Sequence, residues 1–393
     1  MIPIETRVPA YRFPWEKPLA ERIQMLRRHP LKVMYYSEKY NDTTFRYRVY
    51  NMCEAINLAH DGVSASWFSE ADGSRLLELV DECAVLVVHR ALYRDFFDRL
   101  VSRAKTKGIP VIYDIDDYVV DPSTAPLIIR TQDQHKTTWG ASEWAFDFTF
   151  GQLARFRFAA ELCDSLLVTN KFLADKVSAS LKKPAAVIPN FLGPDQLELS
   201  NQLAAARLAG KRVPGDILLG YFSGSATHRF DFQVAAGAIA KVMREYPNVR
   251  LRIVGYLDAK TLGLDEFGDR VEILPFTNYL NLQCLIAEVD INLSPLLEND
   301  FTNCKSELKY FDAGILGVPT LASPIYTMKT AIDSGEYGYL VNNIDWYESL
   351  KSAVAEFPDR LEEMGAKARE QVLATYTPEA QGPVICHLLK SLV

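Results

Sequence analysis

Twice along this chain, six short apolar runs alternate with helical stretches, and this alternation limits the fold more than any other feature. The first set lies at residues 31–36, 64–68, 84–89, 110–115, 165–169 and 186–189. The second lies at 216–222, 249–254, 271–274, 291–293, 320–322 and 339–341. Runs this apolar fit strands of a parallel sheet covered on both faces. Amphipathic stretches at 46–60, 94–107 and 153–162 separate most of the first set; stretches at 232–246, 279–287, 306–316, 325–334 and 347–374 fall between or after the second. Strand and helix in alternation imply right-handed crossovers. A polar, strand-poor stretch at 193–215, with Gly193-Pro194 and Val213-Pro214-Gly215, reads as a helical linker. The expectation is an α/β chain of two Rossmann-like, doubly wound domains facing each other across a cleft, with the first domain and linker at 1–212 and the second at 213–378.

At 393 residues the chain is long enough for two or three domains with large cores. The formal net charge of -7 rules out a sequence-wide basic field for nucleic acid, though not a local basic pocket. Six cysteines form no CxxC pair, so neither a zinc knuckle nor a redox dithiol is signalled; buried free thiols in a reducing compartment are expected. No apolar run approaches the ~18 residues of a membrane-spanning helix, and the first 30 residues lack an apolar leader core. A cytoplasmic protein is expected. The run Tyr11, Arg12, Phe13, Trp15, Lys17 suits an arm packed on its own domain, or peripheral association with the inner face of a membrane.

In open α/β sheets ligands bind beyond the carboxyl ends of the strands, so the residues just after the strands carry the functional reading. Asn303 to Ser306 precede or open a helix, where free N–H groups favour a phosphate. Lys305 adds a point charge there, and Asp312 lies further along. The same run also reads as an ordinary helix with a glycine stop at Gly317. Ser223-Gly224-Ser225 follows an apolar run, and a glycine lets backbone approach a diphosphate. His228, Arg229 and Asp231 enter the next helix, with His228 suited to phosphate, sugar or a structural role. In the first half, one strand runs into His89-Arg90 and another into Asp114-Ile115-Asp116-Asp117. Charges at a buried strand mouth are paired or functional, so Arg90 either pairs with these aspartates or binds acceptor. The aspartates also suit Mg²⁺ or Mn²⁺, but they are expected to face away from the second domain's cationic site, and no metal is expected. Arg46, Tyr47 and Arg48 open the first helix. Residues 122–144 read as a long loop in which Trp139 and Trp144 stack on an acceptor sugar or pack beneath it.

The run Lys305-Ser306-Glu307-Leu308-Lys309-Tyr310-Phe311-Asp312-Ala313, continuing through Gly317-Val318-Pro319 to Ala322-Ser323, resembles the donor-site helix of retaining glycosyltransferases of the GT-B fold. Val187-Ile188-Pro189-Asn190 resembles that family's signature before the linker. Tyr221 to Asp231 looks like its glycine loop, and Leu251 to Gly255 like the strand and glycine that follow. The ending after Thr377-Pro378 resembles the helix that crosses back to the first domain, at 379–393. The family usually carries two glutamates eight positions apart; here Cys304 and Asp312 stand at those positions.

The resemblance implies His89, Lys305 and Asp312 as catalytic residues. It implies Gly224, Ser225, His228, Arg229, Ser306 and Glu307 around the donor, with Glu307 either replacing the missing carboxylate or lying solvated in the first turn. Arg46, Arg90, Asp114, Asp116 and Asp117 fall on the acceptor side. The implied activity is transfer of a sugar from a nucleotide-sugar donor to a glycan or glycolipid acceptor, without cofactor, in bacterial surface polysaccharide synthesis. In a retaining reaction the leaving phosphate takes the acceptor proton; in an inverting one an aspartate of the 114–117 run is the best base. A nucleotide-sugar epimerase and a non-catalytic partner subunit are the alternatives, the second supported by Cys304.

Overall fold

A computed structural model describes residues 11–41, 43–131, 139–210, 215–224, 229–257 and 262–393. Each apolar set becomes one six-stranded parallel sheet. The first contains β1 (Leu31–Ser37), β2 (Val63–Phe68), β3 (Val85–His89), β4 (Val111–Ile115), β5 (Ser165–Val168) and β6 (Ala185–Val187), in the order β2-β1-β3-β4-β5-β6. The second contains β7 (Ile217–Phe222), β8 (Val249–Val254), β9 (Val271–Leu274), β10 (Ile291–Ser294), β11 (Thr320–Ala322) and β12 (Gly338–Leu340), in the order β12-β11-β10-β7-β8-β9.

The apolar composition of the strands follows from burial on both faces. In β1, Val33 and Tyr35 pack into one cluster with Val85, Val87 and Ile112, while Met34 and Tyr36 pack into another with Leu86, Val88 and Tyr113. Period-two alternation therefore sends every other residue to a different helical layer, and both layers are apolar. The first of these clusters continues without a break into the second sheet's domain, through Phe222, Tyr310, Phe311 and Ile325. On the other side Phe301 and Cys304 pack among first-domain residues, and Asn170 Nδ2 donates to the Cys304 carbonyl at 2.8 Å.

Several expectations change in detail. The single helix expected at 347–374 is two, Trp346–Ala355 and Asp359–Thr375, because Pro358 at the junction cannot continue the hydrogen-bond ladder. The expected long loop at 122–144 is largely helical, with helices Ala125–Thr131 and Trp139–Leu162; residues 132–138 and the Trp139 side chain lie outside the described residues. Trp144 is exposed and stacks on Phe148, its neighbour one helical turn on. Helices Leu19–Leu26 and Lys171–Leu181 were not expected. The N-terminal arm packs on its own protein: Trp15 is buried, with its ring against Phe45, Tyr50 and Tyr279. Among the described residues no helix is long and apolar enough to cross a membrane.

The stretch 193–215 contains the helix Pro194–Ala209, which joins the sheets. The last helix, Pro378–Lys390, packs against Asn51–Leu58 beside the first sheet. Gly382 makes that approach close enough to matter, since a Cβ there would stand 2.5 Å from the Ala55 carbonyl oxygen. Gly382→Ala must push the two backbones apart. It is expected to lower stability by about 1–3 kcal/mol in thermal or urea unfolding, whereas Gly237→Ala, with open space around its Cβ position, is expected to be neutral or stabilising.

Candidate active site

A cavity of about 460 Å³ lies where the carboxyl ends of β1 and β4 face those of β7 and β10. In the second sheet the strand order reverses between β7 and β10, where such sheets bind their ligands. The size is that of a small-molecule site.

The second-domain wall begins with Gly224, just after β7. Gly255 holds this loop in place. Its φ is 129°, and a Cβ there would stand 2.3 Å from the Ser223 carbonyl oxygen, so no other residue fits behind the loop. Lys305, Ser306, Lys309 and Asp312 continue the wall. The expected helix 306–316 is shorter, Leu308–Gly314, so the positive character here rests on the lysines more than on a helix end. Lys305 Nζ stands 4.0 Å from Asp231, a buried carboxylate that also accepts the Leu297 N–H. Lys309 lies one turn beyond, with its ammonium 4.4 Å from the Tyr221 ring centre. Burial lowers the Lys309 pKa to about 8; Asp231 opposes this shift and the charge of Lys305 adds to it.

The first-domain wall comes from a π-helical turn, Arg46–Tyr50. The Arg46 guanidinium lies 3.9 Å from the Tyr47 ring centre and 4.1 Å from that of Tyr279, and donates to Gln196 Oε1 at 2.7 Å. Its charge faces Asp312. Asp312, although carried by the second domain, accepts from Gln196 Nε2 at 2.8 Å and Tyr47 O–H at 3.3 Å. Burial pushes this carboxyl up to about 6 against the pull of Arg46 and those donors. Asp116 and Asp117 also line the cavity. Arg90 donates to them at 3.0 and 3.1 Å, and burial raises Asp117, with the charge of Asp116 adding to the shift.

The structure thus brings together Arg46, Asp116, Asp117, Gly224, Lys305, Ser306 and Asp312 from the sequence reading. The expectation that all three aspartates face away from the cationic site is corrected for Asp116 and Asp117, which share the cavity with Lys305. Asp114 is corrected in another way. Fully buried, it takes a two-pronged ion pair from Arg48 at 2.7 and 2.9 Å and does not line the cavity. Arg90 pairs with the other two aspartates and sits behind them. His89 is buried and does not line the cavity; its Nδ1 lies 3.1 Å from Ser37 Oγ, and burial holds its pKa well below the ordinary value.

Glu307 is neither solvated nor in the cavity. It is buried, and desolvation pushes its carboxyl up to about 7 despite its own N–H, Tyr376 and Ser306. Arg229 opens the helix Arg229–Glu245 with its guanidinium over Phe230, away from the cavity lining. Ser225 and His228 lie outside the described residues. Tyr47, singled out with Arg46 and Arg48, also lines the cavity, whereas sequence reasoning missed Lys309, Gln196, Tyr279 and Gln283, whose Nε2 donates to Asp312 at 3.4 Å. For Lys309 a signal existed, because it is a second cation in the run between Lys305 and Asp312. For Gln196, inside a stretch read as linker, none did.

Among solved structures, the Anabaena protein Alr3699/HepE in complex with UDP superposes with a TM-score of 0.59 at 12% identity over 92% of this chain and 100% of that one. Sucrose-phosphate synthase from Thermosynechococcus elongatus gives 0.59 at 15% identity, over 93% and 99% of the two chains. A glycosyltransferase from Rickettsia africae gives 0.60 at 11%, over 92% and 98%. The fold is that of the GT-B glycosyltransferases. Residues 218–358, the core of the second domain, match the family of group 1 glycosyl transferases. No curated protein sequence matches the chain.

The displaced Glu307 generates a test by pH. An ordinary glutamate titrates near 4.5 and this one near 7, so between those values the folded state holds a proton that the unfolded state has lost. Stability from this group therefore falls as pH rises from about 4.5 to 7, and the deficit is complete above 7. Glu307→Gln removes that dependence. The melting temperature of the variant relative to the natural protein is expected to climb between pH 5 and pH 8; a constant difference would mean that Glu307 titrates normally.

Proposed function

We propose that this chain is a nucleotide-sugar-dependent glycosyltransferase that passes a hexosyl or deoxyhexosyl group to a glycan or glycolipid acceptor with retention, in bacterial surface polysaccharide synthesis. The observation that carries this reading is the interdomain cavity, walled by Lys305 beside Gly224 on the group 1-like domain and by Asp116 and Asp117 on the other. The match of residues 218–358 to group 1 glycosyl transferases supports the donor half of the reading.

In the reaction the acceptor oxygen bonds to the anomeric carbon, the bond from that carbon to the β-phosphate oxygen breaks, and the nucleoside diphosphate leaves with the electron pair. Lys305 stabilises the charge that develops on the leaving group, in a site where its field is little screened. The leaving phosphate oxygen takes the acceptor proton. The state of the carboxylates supports retention. Asp116 and Asp117 are engaged by Arg90, and Asp312 by Tyr47, Gln196 and Arg46, so none is held ready as a base on the far face of the sugar. The cationic wall needs no divalent ion to neutralise the diphosphate, and turnover is expected to persist in chelator.

The test incubates the protein with nucleotide sugars, beginning with UDP-glucose because the relative Alr3699/HepE is held with that donor. Melting shifts and released nucleoside diphosphate are measured with and without glycan acceptors, and again in EDTA. Release that depends on acceptor supports transfer. A changed donor sugar without acceptor identifies an epimerase, and neither shift nor release identifies a partner subunit. Loss of turnover in EDTA, restored by Mn²⁺, makes ligands of Asp116 and Asp117. Lys305→Ala is expected to lower turnover about 10²–10³-fold with an unchanged melting temperature; retention of half the natural rate refutes the assignment of Lys305.

A further inference from the structure

Lys309 is the strongest unexplained feature of the cavity wall. It belongs to the helix Leu308–Gly314 and lines the cavity with Lys305 and Gly224. Its ammonium is buried and has no hydrogen-bond partner among the described residues; it rests on the face of Tyr221. A buried ammonium without a counter-ion is costly, and proteins normally pair it or replace it with an apolar side chain. The pairing here is incomplete. Among the described residues Asp231, on the helix Arg229–Glu245, is the one carboxylate acting on Lys309, and Lys305 reaches the same carboxylate. The Asp231 oxygen on the other side already accepts the Leu297 N–H. Across the cavity, Arg90 bonds both Asp116 and Asp117, the charge of Lys305 also acts on Asp117, and Asp312 faces Arg46. The wall around Gly224 therefore holds two ammonium groups and one shared carboxylate, an arrangement completed by an anion.

We propose that Lys309 is a second cationic ligand of the nucleoside diphosphate, working with Lys305 to hold the two phosphates against the Gly224 loop. The proposal rests on the donor site assigned under Proposed function and adds the residue that completes it. Tyr221 stores the ammonium by cation–π contact while the site is empty, and the chain moves from ring to phosphate when the donor arrives. Such a residue is kept at the expense of the empty protein's stability. This separates it from a lysine that merely supports the fold.

The experiment measures binding of UDP, GDP, ADP and dTDP by calorimetry to the natural protein, Lys309→Met and Lys309→Arg, together with the melting temperature of each empty protein. For whichever diphosphate the natural protein binds, Lys309→Met is expected to weaken binding roughly 10- to 100-fold. Lys309→Arg, which keeps the charge, is expected to stay within about threefold, and the parent nucleoside is expected to bind all three alike. The empty Lys309→Met protein is expected to melt higher than the natural one. Unchanged diphosphate affinity in Lys309→Met overturns the proposal while leaving the donor site standing, and so does a lowered melting temperature with nucleoside and diphosphate binding weakened equally. If the natural protein binds none of the diphosphates, the donor-site reading itself fails and this proposal goes with it.

Discussion

The Asp312 carboxylate fixes how the two halves of this protein meet. It is carried by the second domain, yet it accepts from Tyr47 in the first and from Gln196 in the joining helix, with a longer bond from Gln283 of its own domain, and its counter-charge is Arg46. A buried carboxylate cannot be left without donors, and breaking such a group's partnership costs about 3–5 kcal/mol. Sliding one sheet past the other would do so. Arg46 is constrained in turn, held between the rings of Tyr47 and Tyr279, while the Tyr279 hydroxyl donates to Asp195 at the start of the joining helix. The seam is thus specified by polar groups with few alternative partners, laid over an apolar core that would tolerate several arrangements.

That registration polarises the cavity. The second-domain side presents Lys305 and Lys309 against the shared Asp231; the first-domain side presents Asp116 and Asp117 against the shared Arg90. Each side carries one surplus charge, of opposite sign. An elongated substrate with an anionic end and a hydroxyl-rich end is oriented by such a site before any chemistry occurs. A single ion pair buried deeper, Arg48 with Asp114, braces the first-domain side by also donating to the Ile188 carbonyl and Asn190.

The strands were legible because parallel sheets buried on both faces leave nearly unbroken apolar runs, and all twelve appear close to where the pattern put them. The second-domain wall of the cavity was legible in part, through Lys305, Ser306 and Asp312. The role of Asp114 could have been separated from that of its neighbours. On β4 it shares a face with Ile112, beneath the helix that carries Arg48, whereas Asp116 and Asp117 lie beyond the strand end. Reading the three acids as one run hid this boundary. Gln196, and the bond that Tyr47 makes to Asp312, were not legible, since these contacts join residues more than a hundred positions apart in sequence.

Cys304 shows the same constraint from the other side. It occupies the position of a usual family carboxylate, but in this chain that position is fully buried against the first domain, with Phe301 in the same cluster and its carbonyl held by Asn170. A glutamate here would lose its hydration and would stand near Asp117 and Asp300, both of its own sign, with Lys176 as the opposing charge. Desolvation and like-charge repulsion both disfavour the ionised form, so a small, weakly polar thiol is what the contact accepts. The missing carboxylate is therefore explained by packing between the domains. Around it Lys305, Lys309, Asp312 and Gly224 still line one cavity.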